Sequence, residues 1–150
     1  MKMSDIIIRP IEDSHIEGIV TISLLSFPIT WSKDSFEKEL DNKFARYVVA
    51  VKNGVVVGYG GMWLIVDEAH ITNIAVHPEF RHYGIGSLIL EALIHICKLE
   101  NIYGMTLEVR KSNHIAQNLY IKYGFVEEGI RKGYYEDNRE DAIIMWKRDL

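Results

Sequence analysis

Ile74-Ala75-Val76-His77-Pro78, followed closely by Arg81-His82-Tyr83-Gly84-Ile85-Gly86, is the stretch whose reading decides the fold. The first five residues end a β-rich run, and the glycine pair opens a long amphipathic helix. Two glycines one residue apart let the backbone pass close to a ligand. The helix that follows offers free N–H groups and the positive end of its dipole. Together these features make a phosphate cradle, which points to a nucleotide-bearing cofactor.

Two familiar phosphate loops do not fit. The dinucleotide fingerprint G-x-G-x-x-G fails because Ile89 holds the third glycine position. The preceding strand also ends a meander, whereas that fingerprint follows the first strand of a βαβ unit. No Gly-Lys-Ser/Thr is present for a P-loop. The glycines alone would suit a bare turn at a helix start equally well, so the order of the surrounding elements has to decide.

Working outward, Ile6 to Arg9 reads as a first strand. Ser14 and Glu17 form a capping-box pattern, and Ile16, Ile19, Val20 and Leu24 supply a helical apolar stripe. Phe27-Pro28 ends that helix, and Ser32 caps a second one carrying Phe36 and Leu40. Tyr47 to Lys52 and Val55 to Val66 are strands joined by the hairpin signal Asn53-Gly54. Gly58, Gly60 and Gly61 within the second of these predict a bulge or a close backbone approach. Asp67-Glu68 turns the chain into the strand Ile71 to Val76. After the motif, Ile85, Leu88, Ile89, Ala92, Leu93, Ile96 and Cys97 follow helical spacing. Met105 to Val109 is a strand with Thr106, Glu108 and Arg110 on its polar face. Asn113 caps a helix through Tyr123, Gly124 ends it, and Phe125 to Arg131 and Ala142 to Trp146 are the last strands. With no repeat, linker or low-complexity segment, residues 1–150 are expected to form one α/β domain.

Composition narrows the function classes. The chain has 150 residues, 48% hydrophobic and 25% charged, with 17 basic against 21 acidic residues and a net charge of −4. That balance speaks against direct nucleic-acid binding, which wants a basic footprint, and mildly favours a cationic substrate. Cys97 is the only cysteine, so no internal disulfide forms, and a buried structural thiol is expected. Met1 to Asp5 leads into only three isoleucines and then Arg9-Pro10, which is no signal-peptide core, and no apolar run reaches membrane-spanning length. A cytoplasmic protein without a membrane partner is expected. The six histidines show no metal-binding spacing, so no metal is expected.

The order of elements and the R-x-x-G-x-G signature resemble the GNAT acetyltransferase superfamily, which binds acetyl-CoA. The detail is closer still to the RimI-type ribosomal-protein alanine N-acetyltransferases. The similarity runs through Phe27-Pro28 with Trp31-Ser32, Asp67-Glu68-Ala69-His70-Ile71, Asn73-Ile74-Ala75-Val76 and Leu107-Glu108-Val109-Arg110 with Ser112-Asn113. It continues through Leu119-Tyr120, Gly124-Phe125 and Arg139-Glu140-Asp141-Ala142-Ile143-Ile144-Met145. Thr30 and Asn138 depart from the usual proline and glycine at loop positions. The implied fold is a mixed, mostly antiparallel central sheet of about seven strands flanked by about four helices.

The resemblance also implies roles. The amides of His82, Tyr83, Gly84, Ile85, Gly86 and Ser87 would hold the pyrophosphate of CoA, with Arg81 adding charge nearby. The backbone of Ile74, Ala75 and Val76 would pair with the pantetheine arm like an added strand, and the Val76 amide would polarise the thioester carbonyl. Asn113 would cap its helix and lie beside the cofactor. Glu108 is the candidate general base and Tyr120 the candidate general acid for the departing thiolate. By periodicity alone, Glu108 reads first as an ordinary charge on a strand's outer face and Tyr120 as core, and it is the resemblance that favours the catalytic roles. Trp31, Tyr134 and Tyr135 are candidate walls of the acceptor groove, with His70 and His77 near it.

The implied reaction is transfer of acetyl from acetyl-CoA to a protein N-terminal α-amino group, with the N-terminal alanine of a small-subunit ribosomal protein as the acceptor. The enzyme is expected to act as a monomer or weak dimer. Lysine side chains, polyamines or other small amines are the alternative acceptors. A catalytically silent acyl-CoA sensor is a third reading, which would need neither Glu108 nor Tyr120.

Overall fold

Alternating side chains along the middle of the chain build a sheet that is apolar on both faces. In the computed structural model, which describes Lys2 and residues 5–150, seven strands run in the order β1-β2-β3-β4-β5-β7-β6. They are β1 (Ile6–Pro10), β2 (Ala45–Lys52), β3 (Val55–Ile65), β4 (Glu68–Val76), β5 (Gly104–Arg110), β6 (Val126–Arg131) and β7 (Ala142–Lys147). Every neighbouring pair is antiparallel except β4 with β5. Helices α1 (Ile16–Ser26) and α2 (Lys33–Asp41) cover one face, and α3 (Ile85–Leu99) and α4 (His114–Lys122) the other. The mixed, mostly antiparallel arrangement matches the expectation from sequence.

β2 shows how the two layers form. Tyr47, Val49 and Val51 pack with Ile16, Ile19, Ile22 and Phe36 of α1 and α2, while Val48 and Ala50 join Ile89, Leu90 and Leu93 of α3. Each fully buried aliphatic side chain contributes roughly 1.5–3 kcal/mol relative to exposure. The glycines of β3 let α3 lie directly on the sheet. A Cβ on Gly60 would stand 2.5 Å from Ile89 Cγ2, and one on Gly58 would stand 3.0 Å from Ile89 Cδ1. A Cβ on Gly61 would run into the Tyr47 ring at 2.2 Å. The close approach expected from the sequence is therefore real.

The expected bulge in β3 is present as well, with Val57 the extra residue between the Ala50–Gly58 and Val51–Val56 pairs, and a second bulge lies on β4. Gly61 pairs with Asn73 and Met62 with Ile71, so Thr72 is the extra residue on β4. It switches the alternation, because Ala69 and Ile71 face the α3 layer before it and Ala75 faces the α1 layer after it. Bulges bend a strand and sharpen its twist. Here β4 pairs with β5 only through Glu68–His70 against Gly104–Thr106. Beyond that the two strands part, and the outer half of β4 keeps a free edge.

Several local expectations are corrected. Ser14 and Glu17 do not form a capping box. Residues Asp13–His15 make a 3-10 turn, Glu12 and His15 close the reciprocal box, and Glu17 falls inside the first turn of α1. Glu17 instead binds Lys33 Nζ at 2.6 Å, joining α1 to α2. Leu24 lies outside the core at 66% exposure, because the buried stripe of α1 runs through Ile16, Ile19, Ile22 and Ser23. The turn before β4 is at Val66-Asp67, and β4 begins at Glu68 because its first residues pair with both β3 and β5. The N-terminal reading of Met1, Met3 and Ser4 lies outside the described residues. Cys97 is buried as expected, with Sγ 3.7 Å from Met62 Sδ. Among the described residues no helix is long and apolar enough to cross a membrane.

Candidate active site

The parting of β4 from β5 opens a cleft with two connected lobes. The larger, about 730 Å³, lies between the α1–α2 loop, β5 and the β6–β7 loop. The smaller, about 520 Å³, runs along the end of β4 to the glycine motif and α4. Ile74, Asn113 and Tyr120 belong to both lobes.

The free edge of β4 follows from its ladder. His77 N–H donates to Val57 O at 2.8 Å, and antiparallel bonds fall on alternate residues. Ala75 and Asn73 therefore spend their backbone groups on β3, and those of Ile74 and Val76 turn toward the cleft. The Arg81 side chain agrees, since its Nε donates to Val76 O at 3.0 Å. Its Nη2 reaches Ser26 Oγ at 3.3 Å, so Arg81 latches the end of β4 to α1 as well as lining the smaller lobe.

The glycine motif folds as a cradle. Gly84 is the N-cap of α3 at φ 82°, and His82 also adopts a left-handed backbone at φ 71°. Gly86 answers no packing need of the chain, because a Cβ there would meet only Leu119 Cδ2 at an ordinary 3.6 Å. The first amides of α3 have no intrahelical partner and stand over the smaller lobe. His82, Gly84, Ile85, Gly86 and Ser87 all line it. The side chain of Tyr83, at 46% exposure, lies outside it. Free amides on a glycine-walled helix start, beside a free strand edge, fit a long phosphorylated thioester carrier such as acetyl-CoA.

Glu108 stands on the polar face of β5 in the larger lobe, and both its oxygens are engaged. His70 Nε2 donates to Oε2 at 2.5 Å, and Arg131 Nε reaches Oε1 at 3.3 Å from β6. The His70 hydrogen bond, with help from the Arg131 charge, holds the Glu108 carboxyl below its ordinary 4.5 despite burial. Glu108 is therefore an ionised acceptor at neutral pH.

Tyr120, on α4, is buried at 8% exposure and faces the junction of the lobes. Burial pushes its phenol well above the ordinary value, so it stays protonated. Asn113 caps α4, its Oδ1 accepting from Ala116 N–H at 3.1 Å.

The predicted acceptor walls also meet in the larger lobe. Trp31 stacks on Trp63 at 6.0 Å. Across from it, Tyr134 and Tyr135 stand edge to face at 5.1 Å. Burial raises both phenols, that of Tyr135 to about 12. His77 takes no part in the cleft wall, because its Nδ1 accepts from Glu79 N–H at 3.1 Å to cap the 3-10 turn after β4.

Some residues escaped the sequence reading. Arg131 lies two strands from Glu108 in the sheet, and nothing local marks it. Arg110 carried a signal, being next after Glu108 on the same polar face, but its partners are 27 to 30 residues away. Asn73 and Thr72 also line the larger lobe.

Known proteins share both the sequence and this fold. The acetyltransferase (GNAT) family model matches residues 16–125. A Bacillus subtilis (strain 168) relative, provisionally named a ribosomal protein bS18-alanine N-acetyltransferase, is 44% identical over 140 residues, covering 93% of each chain. The Escherichia coli (strain K12) ribosomal protein bS18-alanine N-acetyltransferase is 33% identical over 92% of this chain and 94% of its own. The crystal structure of the E. coli ribosomal-protein-S18-alanine N-acetyltransferase superposes with a TM-score of 0.87 at 32% identity, covering 94% of this chain and 92% of that one. Ard1 from Thermoplasma volcanium gives a TM-score of 0.90 at 29% identity, over 97% and 99% of the two chains.

The protein belongs to the GNAT family of acetyltransferases.

Proposed function

We propose that the enzyme transfers acetyl from acetyl-CoA to the N-terminal α-amino group of a protein, with the N-terminal alanine of a small-subunit ribosomal protein as acceptor. The observation that carries this is the pairing in one cleft of a held carboxylate, Glu108, with a buried protonated phenol, Tyr120. Acetyl-CoA, when bound, supplies an activated acetyl thioester. The amides from His82 to Ser87 hold its phosphates, the edge of Ile74 to Val76 aligns its arm, and the Val76 N–H polarises the thioester carbonyl. Glu108 takes the proton of the attacking amine, directly or through a water. Tyr120, kept protonated by burial, gives its proton to the thiolate as the C–S bond breaks.

The electrostatics favour an α-amine over a lysine. A carboxylate below 4.5 is a weak base. An α-ammonium near 8 is already partly neutral at physiological pH, whereas a lysine near 10.4 lies roughly 6 units away. The names of the B. subtilis and E. coli relatives support an alanine-starting ribosomal protein as acceptor. In this reading residues 1–150 form one catalytic domain that works in the cytoplasm, as a monomer or weak dimer and without a metal.

The test mixes the enzyme, acetyl-CoA and peptides that differ in their first residue, some with a blocked N-terminus and a free lysine. Mass spectrometry then locates the acetyl group. Acetyl on the α-amine of alanine-starting peptides is expected; transfer to lysine side chains alone would sink the reading.

A further inference from the structure

We propose that Arg110 is a positioning residue for the acceptor: it clamps the β6–β7 loop so that Tyr134 and Tyr135 face the cleft. This rests on the reading of those tyrosines as the acceptor wall.

The loop from Lys132 to Asp141 has little structure of its own. Its backbone bonds are few, among them Arg139 N–H to Tyr135 O at 2.8 Å, and Gly133 and Arg139 both take left-handed φ values near 60°. Its base is held by Lys111 N–H donating to Asp141 O at 3.1 Å and Gly133 N–H donating to Asp141 Oδ1 at 2.9 Å, and its tip is fixed by the last residue of β5. Arg110 Nη2 donates to Asp137 Oδ1 at 2.9 Å. Arg110 Nη1 donates to Asn138 Oδ1 at 3.2 Å and to Glu140 Oε1 at 3.3 Å. The guanidinium also lies over the Tyr135 ring, 4.0 Å from its centroid. One planar cation thus grips both ends of the loop's tip and one of its two aromatic walls.

Glu140 extends the clamp to the donor side. Its second oxygen accepts from Ser112 N–H at 2.7 Å, one residue before the Asn113 cap that lines both lobes. The side chains of Arg110, Asp137 and Glu140 are 22%, 25% and 16% exposed, so solvent screens the ion pairs less than at an open surface. Only arginine supplies a flat fork that can stack and bridge together. Lysine at this position keeps the charge and loses the geometry.

A clamp of this kind organises acceptor binding and leaves the chemistry to Glu108 and Tyr120. Arg110→Met is expected to raise KM for an alanine-starting peptide about tenfold or more, with kcat and the KM for acetyl-CoA within about twofold of wild type. Arg110→Lys should recover part of the loss. Trypsin should cut faster at Lys132 or Arg139 in the Arg110→Met protein. Should that variant fail to fold, Asp137→Asn and Glu140→Gln weaken the same grip from the loop side and should raise the peptide KM in the same direction. An unchanged peptide KM in a folded variant, or an equal rise for both substrates, would overturn the clamp. Tyr135→Ala separates the two ideas. No change in peptide KM there would sink the acceptor-wall reading, whereas a rise there with none in Arg110→Met would overturn the clamp alone.

Discussion

His70 Nε2, on the last residue of β4 paired with β5, and Glu108 Oε2, two residues past that pairing on β5, lie 2.5 Å apart. A carboxylate only accepts, so the imidazole donates and stabilises the ionised form of Glu108. Replacing His70 by alanine removes that donor, and the Glu108 carboxyl returns upward toward its ordinary 4.5. The acid limb of kcat/KM should therefore move to higher pH. A pH–rate profile measures it, and a limb left in its wild-type position would show that Glu108 does not set it.

Glu108→Gln keeps the shape of the side chain and loses the base. Turnover is expected to fall by roughly 10²–10⁴-fold while acetyl-CoA binding stays nearly unchanged. Steady-state kinetics alongside calorimetric titration with acetyl-CoA separates the two quantities. Wild-type turnover would remove Glu108 from the mechanism.

Gly60 lies under α3, where an added Cβ would be 2.5 Å from Ile89 Cγ2. The helix must shift or Ile89 must change rotamer, and overpacking of this kind costs about 1–3 kcal/mol. Denaturant unfolding of Gly60→Ala should show a lower midpoint with an unchanged slope. Gly54→Ala is a useful contrast: its Cβ meets nothing within 4 Å, so any loss there comes from its φ of 80°.

Glu140 is held at about 2, chiefly by its bonds to Ser112. Its folded value is depressed from 4.5, so the stability it contributes is fully present above about 4.5. That contribution is lost as pH falls through about 2. Arg110 stays charged throughout this window. Thermal unfolding between these limits should fall less steeply with acid in Glu140→Gln than in wild type, and parallel curves would contradict the assignment.

Local patterns carried much of this molecule. Asn53-Gly54 marks a hairpin that exists, and the helical spacing from Ile85 to Cys97 matches a buried face that also takes in Leu90 and Ile94, with Leu88, Ala92 and Ile96 at its half-buried margin. The alternation of β5 places Glu108 and Arg110 on one polar face. Where reading failed, neighbours in space had overruled neighbours in sequence. Ser14 and Glu17 matched a capping pattern, yet the turn closed one step earlier through Glu12 and His15. Leu24 fitted the stripe by spacing, but the face of α1 that packs on the sheet buries Ser23 in its place.

The sequence by itself determined the order of elements, the glycine cradle and the residue types that bear the chemistry. These depend on backbone conformation and on periods of two and 3.6 residues, which are written locally. Only the tertiary structure decided that His70 and Arg131 hold Glu108 from two other strands, and that Arg110 grips a loop 27 to 30 residues away. Such contacts arise from strand order and from the bulge at Thr72 that parts β4 from β5. Sheet pairing brings distant residues together without leaving a periodic mark on either segment.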